Sequence, residues 1–367
     1  MLMQMPIEAY WAAFNCSKMG YENILKIIDF FGCPKKAWEA PKKEITNIVP
    51  VNISLEQFFS FRETFNIEHY YEQVIKNRAE IISINDRRYP LNLKNIHRAP
   101  PVIYVKGKLP DTSFLHIAVV GTRKATIYGK QVARKISFDL ASQSTVIVSG
   151  LARGIDSSAH SGALEAGGKT IAVLGCGIDI VYPRENKRLF DKICEEGAVI
   201  TEFPLGTPPA KQNFPARNRI ISGLSSGVLV VESPRKGGAL ITADFALEQG
   251  RDVFAVPGSI LSKTGEGSNN LIKEGAKLVE SAEDILEEYR NFEDDRYSSS
   301  FNKFDRDLGS ISPAMKQIID LLLGGPMLIE ELCHYTGKSA AQLNVLVTQL
   351  ELMGLVVRGE GKVYLMI

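Results

Sequence analysis

Ile117-Ala118-Val119-Val120-Gly121-Thr122-Arg123-Lys124 opens a stretch, 117–258, whose rhythm decides the fold. A short apolar, β-branched run ends in glycine and basic residues, and a helical pattern follows. The unit returns at Val148-Ser149-Gly150-Leu151-Ala152-Arg153-Gly154-Ile155-Asp156 and at Asn213-Phe214-Pro215-Ala216-Arg217-Asn218-Arg219, and closes at Phe254-Ala255-Val256-Pro257-Gly258. Strand starts are expected near Ile117, Thr145, Thr170, Ala198, Gly227 and Asp252, at intervals of 28, 25, 28, 29 and 25 residues. Each interval holds one helix and two short loops, the crossover that parallel strands require. Helices are expected over 127–141, 157–166, 185–195, 215–224 and 240–249. The pattern is α/β, a doubly wound, mainly parallel sheet. Such a sheet gathers its binding residues at the carboxyl ends of its strands.

Working outward, residues 7–85 read as helical. Apolar residues recur at helical spacing over 9–15 and 24–31, and Gly20 and Gly32 punctuate them. The helix–Gly–helix run over 20–38 suits a small domain, 1–85, of SAM or helix-hairpin-helix type. Its lysines are balanced by acids, which favours packing over a nucleic-acid contact. A proline-rich connector then leads to a short strand, 102–105, expected at the sheet edge. On the far side, a seventh strand is expected at 277–279. Ser281-Ala282-Glu283-Asp284 reads as the capping start of a last helix of the core domain, 86–290. Residues 291–312 are acidic and serine-rich, a solvated linker.

The final unit, 313–367, carries helical patterns over 315–323, 329–335 and 340–353. Two short strands, 355–357 and 363–366, flank Gly359-Glu360-Gly361. Three helices and a hairpin make a winged helix. Its third helix has no Lys or Arg between Ser339 and Met353, so a protein-contact module is expected there instead of a DNA reader.

At 367 residues the chain suits two or three domains. Hydrophobic residues make up 45% and charged residues 23%, a soluble globular composition. The net charge of +1 supplies no whole-chain field, so any nucleic-acid site must be a local patch. Five scattered cysteines without a CxxC pair read as reduced thiols. Neither a signal peptide nor an apolar run long enough for a bilayer is legible, and a cytoplasmic protein is expected.

Within the core, Gly121-Thr122-Arg123-Lys124 joins a strand to a helix. Glycine brings backbone N–H groups near an anion and the helix N-terminus adds positive potential, so a phosphate site is expected there. The turn is not a dinucleotide fingerprint, because Arg123 and Thr126 replace the required glycines, and Gly175-Cys176-Gly177 lacks the third. Gly168-Lys169-Thr170 is not a P-loop, since Ala163 stands where its first glycine belongs. Ser149 to Gly154 forms a second basic turn, with Asp156 as helix cap and His160 as a packed histidine. Lys211-Gln212-Asn213-Phe214-Pro215-Ala216-Arg217-Asn218-Arg219 holds three cations and no acid. Arginine pairs with phosphate bidentately, and Phe214 offers a face on which a base can stack, worth roughly 1–3 kcal/mol. Lys236-Gly237-Gly238-Ala239 is a further candidate anion turn. Glu202, Glu232 and Glu248 read as caps and ion-pair partners. No metal or cofactor is expected.

Taken in order, these motifs resemble one family, DNA-processing protein A, also called DprA or Smf. The resemblance rests on Gly121-Thr122-Arg123 with Tyr128-Gly129, Ser149 to Asp156 with Ala159-His160, and Tyr182-Pro183. It continues through Asn213-Phe214-Pro215 with Arg217-Asn218-Arg219, Leu240-Ile241-Thr242-Ala243, and Phe254 to Gly258. It implies an extended Rossmann-like core that binds single-stranded DNA, forms a homodimer through that core, and loads the recombinase RecA during natural transformation. The pocket residues it implies are Gly121, Arg123, Ser149, Gly150, Arg153, Phe214, Arg217, Asn218 and Arg219. The residue reading adds Lys124, Gly154, Lys211, Asn213 and Lys236. No catalytic residue is implied. The rival expectations are a nucleotide-phosphate hydrolase on a similar sheet and a regulator reading duplex DNA.

Overall fold

The computed structural model describes residues 5–17, 19–289, 312–322, 327–352, 356–359 and 362–365. Two compact units emerge, Met1–Ile285 and Leu286–Ile367. The expected linker lies almost wholly outside the described residues.

In the first unit, helices α1 (Ile7–Cys16), α2 (Tyr21–Phe31), α3 (Pro34–Glu39), α4 (Lys42–Ile48), α5 (Ile53–Thr64) and α6 (Ile67–Lys76) lead the chain. Gly32 turns α2 into α3 at φ +67°, a conformation that a residue without Cβ adopts without strain. Trp38 packs edge-on against Phe14, ring centroids 5.2 Å apart, and Phe14 stacks on Phe58. The helix–Gly–helix run sets Ile24, Ile27, Ile28 and Trp38 into the core of the N-terminal helices.

The helical reading of 7–85 fails at its end. Glu80–Ser83 is a strand, β1, whose Ile81 and Ile82 are buried in the sheet. Four residues carry too little periodicity to announce a strand; pairing with β2 (Val102–Gly107), Glu80 opposite Val105, holds it there. The strand expected at the edge is therefore second in the sheet.

The sheet continues with β3 (His116–Val120), β4 (Val146–Ser149), β5 (Thr170–Val173), β6 (Ala198–Thr201), β7 (Gly227–Val230), β8 (Asp252–Ala255) and β9 (Lys277–Leu278). All seven of these strands start within a residue of the position expected from the sequence. Among the described residues the order is β1-β2-β6-β5-β4-β3-β7-β8-β9. The strands β5-β4-β3-β7-β8-β9 follow the doubly wound order 3-2-1-4-5-6. The pairs from β6 to β9 are parallel, with Ile117 opposite Gly227 and Val120 opposite Val230, whereas β1–β2 and β2–β6 are antiparallel. The strands β3 to β7 are buried at every position, which is why they read as unbroken apolar runs.

Helices α8 (Ile127–Ser142), α9 (Ile155–Glu165), α10 (Lys187–Glu196), α11 (Asn213–Gly223), α12 (Gly238–Glu248) and α13 (Glu266–Lys273) make the crossovers, after a short α7 (Leu91–Lys94). Two cores follow from strand alternation. Tyr104, Ala172 and Val199 join the N-terminal helices, while Ile103, Ile171, Val173 and Val228 pack with α11 and α12. After β9, the Asp284 carboxylate accepts the Ser281 N–H at 2.8 Å, the acidic half of the expected capping box.

The second unit is a winged helix. Helices α14 (Pro313–Leu322), α15 (Ile329–Thr336) and α16 (Ala340–Leu352) surround Ile318, Leu332, Leu343 and Val347. The expected hairpin is β11 (Val356–Gly359) and β12 (Lys362–Leu365), and a strand not foreseen, β10 (Met327–Leu328), pairs with β12. The centre of the turn lies outside the described residues.

Candidate nucleic-acid interface

The turns after β3, β4, β5 and β7 and the start of α11 converge on one cavity of about 750 Å³. Its position is the carboxyl rim of the sheet where the strand order reverses. The expected convergence therefore occurs, but with fewer cations than the sequence offered.

Arg123, Lys211, Phe214 and Asn218 face the cavity. Arg123 is exposed, and its guanidinium stands 4.7 Å from the Phe214 ring centroid. The Tyr182 ring lies 5.6 Å from Phe214, tilted by 36°. Behind Phe214, a Cβ on Gly175 would come within 2.9 Å of the ring, so that glycine leaves the ring its place. Asn213 anchors the start of α11 by donating to the Gly175 carbonyl at 3.2 Å. Asn218 ties α11 to α12 by donating to the Gly238 carbonyl. Tyr182 was quoted in the sequence only as a motif; the aromatic pair it makes with Phe214 is a feature of the folded chain.

Arg217 has another task. It is 4% exposed and donates to the carbonyls of Gly150, at 2.9 Å, and of Val173. A Cβ on Gly150 would sit 2.5 Å from its guanidinium. Burial lowers its pKa to about 10, opposed by the neighbouring Asp156 carboxylate. Burial likewise raises the Asp156 pKa, against the pull of Arg217. Asp156 is not the expected N-cap. Gly154 holds that position, and Asp156 lies one step inside the helix on the cavity floor. Arg217 therefore joins the ends of β4 and β5, with its charge spent on carbonyls and on Asp156.

Arg219 does not line the cavity. It pairs with Glu202, which also accepts from Tyr21 of α2, and it stacks on the Tyr21 ring at 5.8 Å. Successive odd positions on a helix point about 200° apart, so Arg217 and Arg219 leave α11 in different directions. Arg153 does not line the cavity either; it borders a small adjoining pocket with Arg123, Tyr182 and Phe214, and pairs at the surface with Glu185. Lys124 and Lys236 are exposed and do not line it.

The expected anion site at the N-terminus of α8 is also corrected. A carboxylate of the chain occupies it: Glu232 Oε2 accepts the Thr126 N–H at 2.9 Å and Oε1 accepts its hydroxyl at 2.6 Å. Any Cβ on Gly129 would collide with that carboxylate, and the Thr122 N–H is taken by the Glu232 carbonyl. Gly121 is needed for close packing against Ile155 and Glu232, and Gly154, at φ +82°, for packing against the Thr122 carbonyl. Ser149 is buried and donates to the Val119 carbonyl at 2.6 Å. Of these residues Gly121 and Thr122 border the cavity, while Ser149, Gly129, Gly154 and Glu232 build the rim behind it.

His160 is a packed histidine, as expected. Thr170 Oγ1 donates its single proton to the Ile147 carbonyl, so it accepts from His160 Nδ1–H at 2.7 Å. Burial drives its pKa down to about 3.

Fold and site together define an extended Rossmann-like protein with a cationic, aromatic cavity at its strand ends. Residues 80–290 match the family described as DNA recombination-mediator protein A, and 305–362 match the DprA winged helix domain. The chain belongs to the DprA/Smf family. It is 33% identical to Protein Smf of Synechocystis over 390 aligned positions, covering 97% of this chain and 98% of that one. The crystal structure of DNA processing protein A from Streptococcus pneumoniae superposes with a TM-score of 0.70 at 40% identity, covering 78% of this chain and 99% of that one. A Helicobacter pylori DprA, described for its single-stranded DNA binding mode, superposes at 0.51 with 27% identity, covering 57% and 94%.

Proposed function

We propose that the chain binds single-stranded DNA in the strand-end cavity and delivers it to a recombinase of the RecA class, in DNA uptake and recombination. The carrying observation is the stack of the Arg123 guanidinium on Phe214, with Lys211 on the same wall. A guanidinium on a ring offers a phosphate partner beside a base-stacking face, and an unpaired strand presents both groups at every nucleotide. A duplex buries its base faces and cannot use Phe214. The single-stranded DNA described for the Helicobacter pylori relative supports this reading.

The cavity holds its ligand without breaking bonds. Its buried acid, Asp156, is set against Arg217, and His160 is turned to Thr170, away from the lining. Ile260 and Leu261, in the loop after β8, are 92% and 93% exposed. Adjacent apolar side chains left in water favour a protein contact, consistent with a homodimer through the core. In the winged helix, Arg358 of the hairpin is committed to Thr348, at 2.8 Å, and to Glu351. The third helix itself carries no cation, which favours a protein-contact role for the unit. No helix among the described residues is long and apolar enough to cross a membrane, and the reading places the protein with the chromosome in the cytoplasm.

The test is binding of labelled single strands and of duplex of the same sequence to the full chain, with oligomer mass measured alongside. Preference for the single strand carries the reading; equal or tighter duplex binding overturns it. Acceleration of RecA filament assembly on a coated strand tests the delivery step.

A further inference from the structure

A second cavity, of about 630 Å³, opens beside the first. It lies between the N-terminal helices and the segment that follows β6, the strand paired with β5. Its walls include Tyr21, Phe65, Tyr70 and Phe203, with Glu202 closing one side and Thr207 at the rim. The segment 203–208 borders this cavity, and Pro209 and Lys211, next along the chain, border the first. Asn213 fixes the junction by donating to the Pro208 carbonyl at 3.4 Å.

The chemistry of the two cavities is related. Both set aromatic rings at the same carboxyl rim. A volume of this size takes one nucleobase with its sugar. Each of the four bases has a ring face and an edge N–H, so an aromatic pocket with a buried carboxylate tolerates any sequence.

We propose that this cavity is a second base-binding subsite for the same strand, reached by crossing the 203–211 segment from the Phe214 cavity. The proposal rests on the reading of the first cavity as a strand site. It gives the N-terminal helical region a direct part in holding DNA, since Tyr21 and Tyr70 come from α2 and α6 and Phe65 from the junction after α5.

The experiment compares oligothymidylates from roughly four to sixteen nucleotides, the span of such grooves, on the full chain and on three variants. Thr207→Trp fills the second cavity, Phe203→Leu removes a stacking face while keeping an apolar side chain, and Phe214→Ala disables the first. Thermal melting of each variant identifies any that misfold, and the two second-cavity variants act by different means. The wild type is expected to gain about tenfold in affinity at the length that spans both cavities, the order of one stacked base. Thr207→Trp and Phe203→Leu are expected to lose that step and to bind the shortest strands unchanged. Phe214→Ala weakens every length. A wild type without the step, or a step that survives in both second-cavity variants at wild-type melting temperature, overturns the proposal. Unchanged binding of Phe214→Ala at every length overturns the first-cavity reading instead.

Discussion

Arg123, in the turn after β3, stands over the face of Phe214, at the start of α11, 4.7 Å from its centroid, and the two lie 91 positions apart in the chain. A cation and a ring so placed divide labour by chemistry. Phosphate affinity falls with salt and stacking does not. Arg123→Ala is therefore expected to weaken single-strand binding and to flatten the plot of log affinity against log salt by about 0.7. Phe214→Ala is expected to cost about 1–3 kcal/mol with the slope unchanged. Fluorescence anisotropy across a salt series checks both; an unchanged slope for Arg123→Ala refutes its phosphate role.

Arg217 is a different kind of residue despite the shared motif. Removing it leaves the buried Gly150 and Val173 carbonyls without their donor and the buried Asp156 carboxylate without the nearby opposite charge. Arg217→Met is expected to destabilise the core by about 3–5 kcal/mol, the scale for breaking one half of a buried charged pair. Urea unfolding measures it. Gly150→Ala, which pushes a methyl into the same guanidinium, is expected to destabilise in the same direction.

Arg219 pins α11 to Glu202 and Tyr21. Arg219→Ala is expected to lower stability and leave the salt slope of strand binding at the wild-type value. In a double-mutant cycle with Glu202→Ala the losses are expected to be non-additive by about 0.5–3 kcal/mol. Additive losses would show that the pair contributes nothing as a pair.

His160 makes stability depend on pH. Its folded pKa of about 3 lies below the ordinary value of 6.5, so the unfolded chain binds the proton more readily. The stabilisation is fully present above about 6.5 and is lost as pH falls toward 3. Between about pH 7 and about pH 5 the loss reaches up to about 2 kcal/mol, at the limiting slope of about 1.4 kcal/mol per pH unit. His160→Gln, which keeps a donor for Thr170, is expected to flatten this part of the profile in urea unfolding.

The sequence determined the repeat of strand and crossover, the winged helix and the glycine-rich turns, because these are local patterns. Periodicity and turn chemistry act over a few residues and survive into the fold. Strand β1 escaped because four residues carry no period of their own, and its pairing with β2 supplied the stability. The fate of the cations was decided only by the tertiary structure. Glu202 lies 17 residues from Arg219, Glu185 lies 32 from Arg153, and Glu232 lies 106 from the α8 N-terminus it fills. Electrostatic partnership depends on distance in space, and a linear motif reports only distance along the chain. Of the positive groups that looked equivalent in the sequence, folding left Arg123 and Lys211 free to meet a ligand in the cavity, set Arg217 into its floor bound to the Gly150 and Val173 carbonyls, and turned Arg219 away toward Glu202.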